Sequence, residues 1–207
     1  MEETMIVFIV GTARSGSCWL GRILAAHPEI HGSVEEEPRF SRVIEAAIYP
    51  EQRDFLLPVL AMHYYALELQ HGIVSEKAHP ALWIAEELAA RLPTARFLVI
   101  ERGPLAVVSS MLKHPDVRFR CESEWRSYPE PCPFLGLRTR AAYGQLSIAE
   151  RCAARWRSHH DEVTRLVPIL RDRMRVIRYE GLNRKPEMTL AAVQEWLGLD
   201  AEFEVVE

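Results

Sequence analysis

The sequence predicts an α/β protein with three layers, α/β/α, around a central, mainly parallel sheet that carries a P-loop-like turn. Short apolar runs alternate with stretches of helical periodicity, the pattern of successive βαβ units. The first run, Met5-Ile6-Val7-Phe8-Ile9-Val10, reads as a buried strand. It leads straight into Gly11-Thr12-Ala13-Arg14-Ser15-Gly16-Ser17-Cys18-Trp19, a Gly/Ser-rich turn that opens a helix. A buried strand, such a turn and an amphipathic helix in sequence are the architecture of a phosphate-binding loop.

The elements follow in order. Trp19, Leu20, Ile23 and Leu24 recur at helical spacing, and the helix ends near His27-Pro28. An extended piece at 30–33 leads to the acidic run Glu35-Glu36-Glu37-Pro38. Helices are expected over 40–48 and 53–70, the second interrupted by Pro58, which lacks the N–H an interior position needs. A short strand at 73–75 precedes Glu76-Lys77, and Ala81, Ile84, Leu88 and Leu92 mark a helix over 80–92. The clear strand at 96–100 feeds a helix opened by Pro104, with Leu105, Val108 and Leu112 on one face. Between 113 and 139 no period is visible, and Pro, Arg and aromatic residues dominate; so long an irregular insertion is either functional, as a lid over a site, or a plain covering loop. One long helix is expected over 141–166, a strand over 175–179, and a last helix from Pro186 to the Gly198 stop.

With 207 residues and 48% hydrophobic content, the chain reads as one domain over 1–207 with a substantial core. The formal charge of −4 argues against nonspecific nucleic-acid binding, so any anion site is local. No apolar run approaches membrane length, and residues 5–10 are too few for a signal peptide. Cys18, Cys121, Cys132 and Cys152 form no CxxC pair, which speaks against zinc and a disulfide framework and for a reduced, cytoplasmic protein.

Three pieces can carry chemistry. In the opening loop, the backbone N–H groups and the helix N-terminus converge on one anion, with Arg14, Ser15, Gly16, Ser17, Cys18 and Trp19 around it. The loop departs from an ATP-binding P-loop: Ser17 stands at the lysine position, Cys18 at the magnesium-binding hydroxyl, and the charge sits on Arg14. The second piece places Arg102 at the carboxyl end of a strand, where ligands bind in open α/β sheets, with Ser110 on the next helix. Two anion sites on one sheet edge point to a nucleotide with phosphates at both ends. The third piece, Val176 to Leu182, with Tyr179, is by itself a strand and a turn ahead of an amphipathic helix.

In this order the pieces resemble the sulfotransferases that use 3′-phosphoadenosine 5′-phosphosulfate (PAPS). Arg14-Ser15-Gly16-Ser17-Cys18-Trp19 is similar to that family's 5′-phosphosulfate loop, with Cys18 as a departure. Arg102-Gly103-Pro104 with Ser110 is similar to its 3′-phosphate motif, with Gly103 in place of Asp. Tyr179-Glu180-Gly181-Leu182, Pro186 and Trp196-Leu197-Gly198-Leu199 match a third pattern. Ala26-His27-Pro28 and Glu76-Lys77-x-x-Pro80 resemble segments of bacterial and carbohydrate members. The resemblance spans 6–199 and implies PAPS as co-substrate, PAP as product, no metal, and a hydroxyl or amine of a small-molecule or carbohydrate acceptor; a homodimer is the assembly expected.

It also implies roles. Arg14 stabilises the leaving oxygen, and Lys77 faces the sulfuryl group or the acceptor. Glu37, in Glu37-Pro38-Arg39-Phe40, is the base in the manner of carbohydrate sulfotransferases, with Glu36 or a histidine as the alternative. His27 is expected at a helix end and His159 and His160 on a solvated helix face, while nothing singles out His63 or His79. The family's Arg-x-Gly motif near the C-terminus has no counterpart after Leu199. Two other readings therefore stand beside this one: a P-loop kinase of small metabolites, and a nucleotide-binding protein without turnover.

Overall fold

A computed structural model describes residues 4–204. Strand β1 (Met5–Gly11) is buried along its whole length. Helix α1 (Ser17–Ala25), β2 (Ile30–Val34), α2 (Arg39–Ile48), α3 (Arg53–His71) and β3 (Ile73–Lys77) follow. Next come α4 (Ala85–Arg91), β4 (Ala95–Glu101), α5 (Pro104–Lys113), α6 (Pro115–Glu122), α7 (Arg140–Gln145) and α8 (Ile148–Leu170). The described chain closes with β5 (Met174–Arg178), α9 (Tyr179–Arg184) and α10 (Pro186–Leu197).

The five strands form one parallel sheet in the order β2-β3-β1-β4-β5. Alternate side chains of β1 serve its two faces. Ile6, Phe8 and Val10 join α3, α4 and α8 on one side; Met5, Val7 and Ile9 join α1 and α10 on the other. This makes the three layers. The chain runs from β1 outward to β2 and β3, then crosses to β4 and β5, so the strand order reverses beside β1. The loops after β1 and β4 diverge there and leave the crevice in which open α/β sheets bind ligands.

Several elements differ from the sequence reading for local reasons. Helix α3 runs unbroken, because Pro58 lies in its second turn, near the end where interior hydrogen bonds begin. Strand β3 is longer than the three residues expected and includes Glu76 and Lys77, both buried. The stretch expected as a helix from Pro80 is a 3₁₀ turn over His79–Ile84, and only Ala85–Arg91 is α-helical. Helix α5 buries Val107 and Met111 against Cys121 and Cys152, and leaves Leu105, expected on the inner face, 86% exposed.

The insertion over 113–139 is not irregular. It holds α6 and two 3₁₀ turns, Glu124–Ser127 and Pro133–Leu135, each too short for a hydrophobic period to register. Trp125, Tyr128, Cys132, Phe134, Leu135, Leu137 and Tyr143 form their own small core there. Gly136 shows how closely it docks: with φ 72, it would press a Cβ to 2.4 Å from the Ala154 carbonyl oxygen on α8. The single helix expected over 141–166 is two. Ser147 caps α8 through a capping box, its Oγ accepting from Glu150 N–H (3.3 Å) and Glu150 Oε2 accepting from Ser147 N–H (2.7 Å).

Candidate active site

The loop between β1 and α1 has the geometry of an anion cradle. Gly16 holds φ 99 at the N-cap of α1, and a Cβ there would meet the Tyr179 ring at 2.5 Å. Only glycine lets the backbone approach so closely. The first turn of α1 carries no side-chain cap, so its N–H groups are left for a ligand. Thr12 Oγ1 and Ser15 Oγ are buried and, among the described residues, meet no hydrogen-bond partner. Ser17 is buried beside them; Cys18 and Trp19 are half-buried, and Trp19 meets Tyr179 edge-on at 6.1 Å. Orphaned hydroxyls and uncapped amides around a glycine turn are the donor set that a phosphate or sulfuryl group requires.

A second group stands where β4 ends. The Arg102 guanidinium stacks over Tyr179 at 4.3 Å and donates to the Arg14 carbonyl (3.3 Å). Arg102's own carbonyl accepts from Trp156 Nε1 (3.0 Å), and Gly103 N–H donates to Glu180 Oε1 (2.9 Å). Arg14 is exposed, with φ 70, and its Nε donates to Ser110 Oγ (3.2 Å). Thus Arg14, Arg102, Ser110 and Tyr179 meet across the crevice. Arg14 belongs to the loop and also touches the Arg102 group, and its left-handed backbone is the kind of local strain that gathers at working sites.

The third group lies at the carboxyl ends of β2 and β3. Register sets Lys77 beside Ile9 of β1, level with the approach to the loop, and Lys77 packs against Gly21 of α1. Lys77 is 2% exposed and its ammonium pairs with Glu35, which also takes a contact from His79 Nδ1 at 3.4 Å. Glu35 itself has φ 52, a position held by its backbone N–H donating to the Lys77 carbonyl (3.1 Å). Burial would raise the Glu35 carboxyl, but the hydrogen bond from His79 and the charge of Lys77 overcome it and hold the group at about 2. Burial pushes His79 down to about 3, against the pull of Glu35. At neutral pH Glu35 is therefore an anionic carboxylate and His79 a neutral imidazole. His79 Nε2 is buried and, among the described residues, without a partner.

The other glutamates of the acidic run are used elsewhere. Glu36 pairs with Arg39 (2.7 Å), which also binds the buried Glu76 (2.9 Å) and Ser33 (3.0 Å). Glu37 is exposed and accepts from Ser41 N–H (3.3 Å) at the start of α2, away from the Lys77 group. The structure thus joins Lys77 to Glu35 and His79 rather than to Glu37. The sequence carried a signal for His79 alone: it stands two residues after Lys77 at a strand end, where extended chain sends both side chains to one side.

His159 and His160 correct the sequence reading, which set both on a solvated helix face. His159 is buried: Trp83 Nε1 donates to its Nε2 (3.4 Å) and its Nδ1 faces the Arg155 carbonyl (2.8 Å), while burial pushes its pKa well down. His160 is half-buried against Trp156 and Glu101. His27, just past the end of α1, is buried with Nε2 on the Ala201 carbonyl.

No helix among the described residues is long and apolar enough to cross a membrane. Comparison with solved structures finds the same fold in three bacterial-type sulfotransferases. The sulfotransferase domain of the curacin biosynthetic pathway is 15% identical, with 98% of this chain and 76% of that chain covered and a TM-score of 0.65. The sulfotransferase domain of the Synechococcus PCC 7002 olefin synthase is 18% identical, with coverage of 98% and 76% and a TM-score of 0.57. The sulfotransferase from Alicyclobacillus acidocaldarius is 18% identical, with coverage of 97% and 84% and a TM-score of 0.56. No curated protein matches the sequence. A sequence model of the sulfotransferase family matches residues 7–203, from β1 through the loop, the crevice and α10. The chain is accordingly an enzyme of sulfuryl transfer and belongs to the sulfotransferase family.

Proposed function

We propose that this enzyme takes a sulfuryl group from PAPS and delivers it to a hydroxyl of a small-molecule acceptor, with His79 as the general base. One observation carries the reading: a buried, neutral imidazole whose Nδ1 faces an anionic carboxylate and whose Nε2 has no partner among the described residues. That arrangement fixes the tautomer with the proton on Nδ1 and leaves Nε2 to accept one.

The loop amides, Ser15 and Ser17 would hold the 5′ end of the co-substrate, with Cys18 and Trp19 at the rim of the same cradle. Arg102 and Ser110 would hold the 3′-phosphate, and Tyr179 would bound the nucleotide on the third side. PAPS, when bound, supplies a sulfuryl group on a phosphate leaving group, and PAP is what remains. Arg14 and Lys77 set positive charge on the two approaches to that group. His79 Nε2 takes the acceptor's hydroxyl proton, and Glu35 stabilises the imidazolium that results. Phe134 covers His79, with ring centroids 6.0 Å apart, which supports the 113–139 insertion as the acceptor-side cover. The four free thiols suit a reducing, cytoplasmic setting.

The test is PAPS transfer to a mixed library of hydroxyl acceptors, read by mass spectrometry. His79→Gln should lose transfer by at least about 100-fold while keeping its affinity for 3′,5′-ADP. Loss in Glu37→Gln with transfer intact in His79→Gln would move the base to Glu37. Thermal stabilisation by ATP–Mg²⁺ and none by 3′,5′-ADP would overturn the co-substrate.

A further inference from the structure

Behind Phe134 lies a group that the transfer reaction, as described, does not use. Arg155 of α8 is 1% exposed, and its Nε and Nη1 have no hydrogen-bond partner among the described residues. A buried guanidinium ordinarily faces a carboxylate, since an unpaired charge in the interior is heavily penalised. The titratable neighbours that act most on this one are Cys121, Arg120, Tyr128 and Tyr143, none of them a carboxylate, and its charge in turn reaches His79 and His159. The Cys121 thiol lies beside the guanidinium, and a hydrogen bond from Cys152 together with the Arg155 charge lowers that thiol's pKa. Nε and Nη1 remain bare. What covers the guanidinium is the Phe134 ring, 4.5 Å from it. The same ring lies against His79 and, at 5.8 Å, against His159. Two unpartnered buried polar groups, the base nitrogen and half of a guanidinium fork, thus meet one apolar ring in the 3₁₀ turn Pro133–Leu135.

We propose that Arg155 is a specificity residue of the acceptor site, and that the acceptor carries an oxyanion, a carboxylate, phosphate or sulfate, which takes the place of the Phe134 ring beside the guanidinium and accepts from its unpartnered N–H groups. Each unpartnered guanidinium N–H is a charged donor that an oxyanion oxygen can accept from, and in a dry site such a charge-assisted bond is strong. His79 and Arg155 flanking one ring place the acceptor's hydroxyl and its anionic group about one aromatic ring apart. The inference rests on the reading of His79 as the acceptor-side base.

Its test separates the two. The wild type, Arg155→Met and, as control, Arg157→Met on the exposed face of α8 are loaded with 3′,5′-ADP to fill the phosphate positions. Thermal shifts are then measured with benzoate, benzenesulfonate, phenyl phosphate and the neutral benzyl alcohol. The oxyanions should stabilise the wild type and Arg157→Met more than benzyl alcohol does, the largest shift identifying which oxyanion is preferred. Arg155→Met should abolish that excess with 3′,5′-ADP affinity unchanged. Without any ligand, Arg155→Met should melt roughly 2–4 °C higher than wild type, because a group kept for a ligand burdens the empty fold. An Arg155→Met protein that melts lower, an oxyanion excess that survives the substitution, or no excess in the wild type each overturns the proposal and makes Arg155 structural. Failure of His79→Gln to stop transfer would instead overturn the base and leave the oxyanion result standing.

Discussion

Replacing His79 by Gln tests directly whether its imidazole is held neutral, as a base must be. The ordinary histidine value is 6.5 and burial brings the folded value to about 3. Below 6.5 the unfolded chain takes up a proton that the folded protein refuses until about 3. The stability tied to this group is therefore complete above 6.5 and lost as the pH falls toward 3. Each pH unit inside that window removes about 1.4 kcal/mol, so acidification from pH 7.5 to 4.5 costs about 3 kcal/mol from this one residue. Glu35 does not blur the measurement. Its folded value of about 2 lies below its ordinary 4.5, so its contribution is present above 4.5 and is lost only on falling from there through 2. His159, also lowered by burial, and His63, lowered by burial and by Arg39 and Arg42, titrate in the same window but are common to both proteins. Urea unfolding followed by tryptophan fluorescence at the two pH values gives the comparison. His79→Gln should lose about 3 kcal/mol less than wild type between pH 7.5 and 4.5, a relative midpoint displacement of roughly 1–2 M urea for a chain of this size. Equal losses in the two proteins would show that His79 keeps its ordinary value in the fold, and a smaller loss in the wild type that it is held charged; either way the assignment of Nε2 as proton acceptor would fall.

Other substitutions read other parts of the site. Glu35→Gln strips the buried Lys77 of its carboxylate; with Glu35 about a third exposed, the loss of stability should be about 2 kcal/mol, seen in urea unfolding at pH 7.5, together with a large loss of transfer. Glu37→Gln touches only the Ser41 amide and should keep transfer within about threefold of wild type and stability within roughly 0.5 kcal/mol. Arg102→Ala removes both a phosphate donor and the stack on Tyr179, and titration calorimetry should find 3′,5′-ADP bound roughly 10–100-fold more weakly. Gly16→Ala drives a Cβ into the Tyr179 ring and should abolish nucleotide-dependent thermal stabilisation while the far-UV circular dichroism stays native.

Strand-helix alternation and the glycine turn were enough to read the sheet, because β1 and β4 are buried on both faces and so appear as unbroken apolar runs. The last helix was legible from Pro186 and Gly198, the latter at φ 73. The capping box at Ser147 and Glu150 was written in the sequence too, and reading it would have divided α7 from α8. The insertion was opaque for another reason: its order comes from aromatic rings meeting across turns, which no local period reports. At the site, Arg14, Arg102, Ser110 and Tyr179 were within reach of motif reasoning. The partnership of Lys77 with Glu35 was not, since it depends on the pairing of β2 with β3 and on a left-handed residue just after β2. Three consecutive glutamates look alike in sequence, and only the backbone decides that one faces Lys77, one Arg39 and one the start of α2.

The small aromatic core of the insertion contains no residue of the sheet, whereas the two cores that seat the nucleotide loop are built on it. Changes among Trp125, Tyr128 and Tyr143 should then add to changes around α1 with little coupling, whereas Phe134, which meets His79 and through Glu35 and Lys77 reaches α1, should couple to them. The protein is in that sense partitioned: one part is fixed by the donor, and another can drift in sequence as acceptors change, without renegotiating the fold that holds the donor.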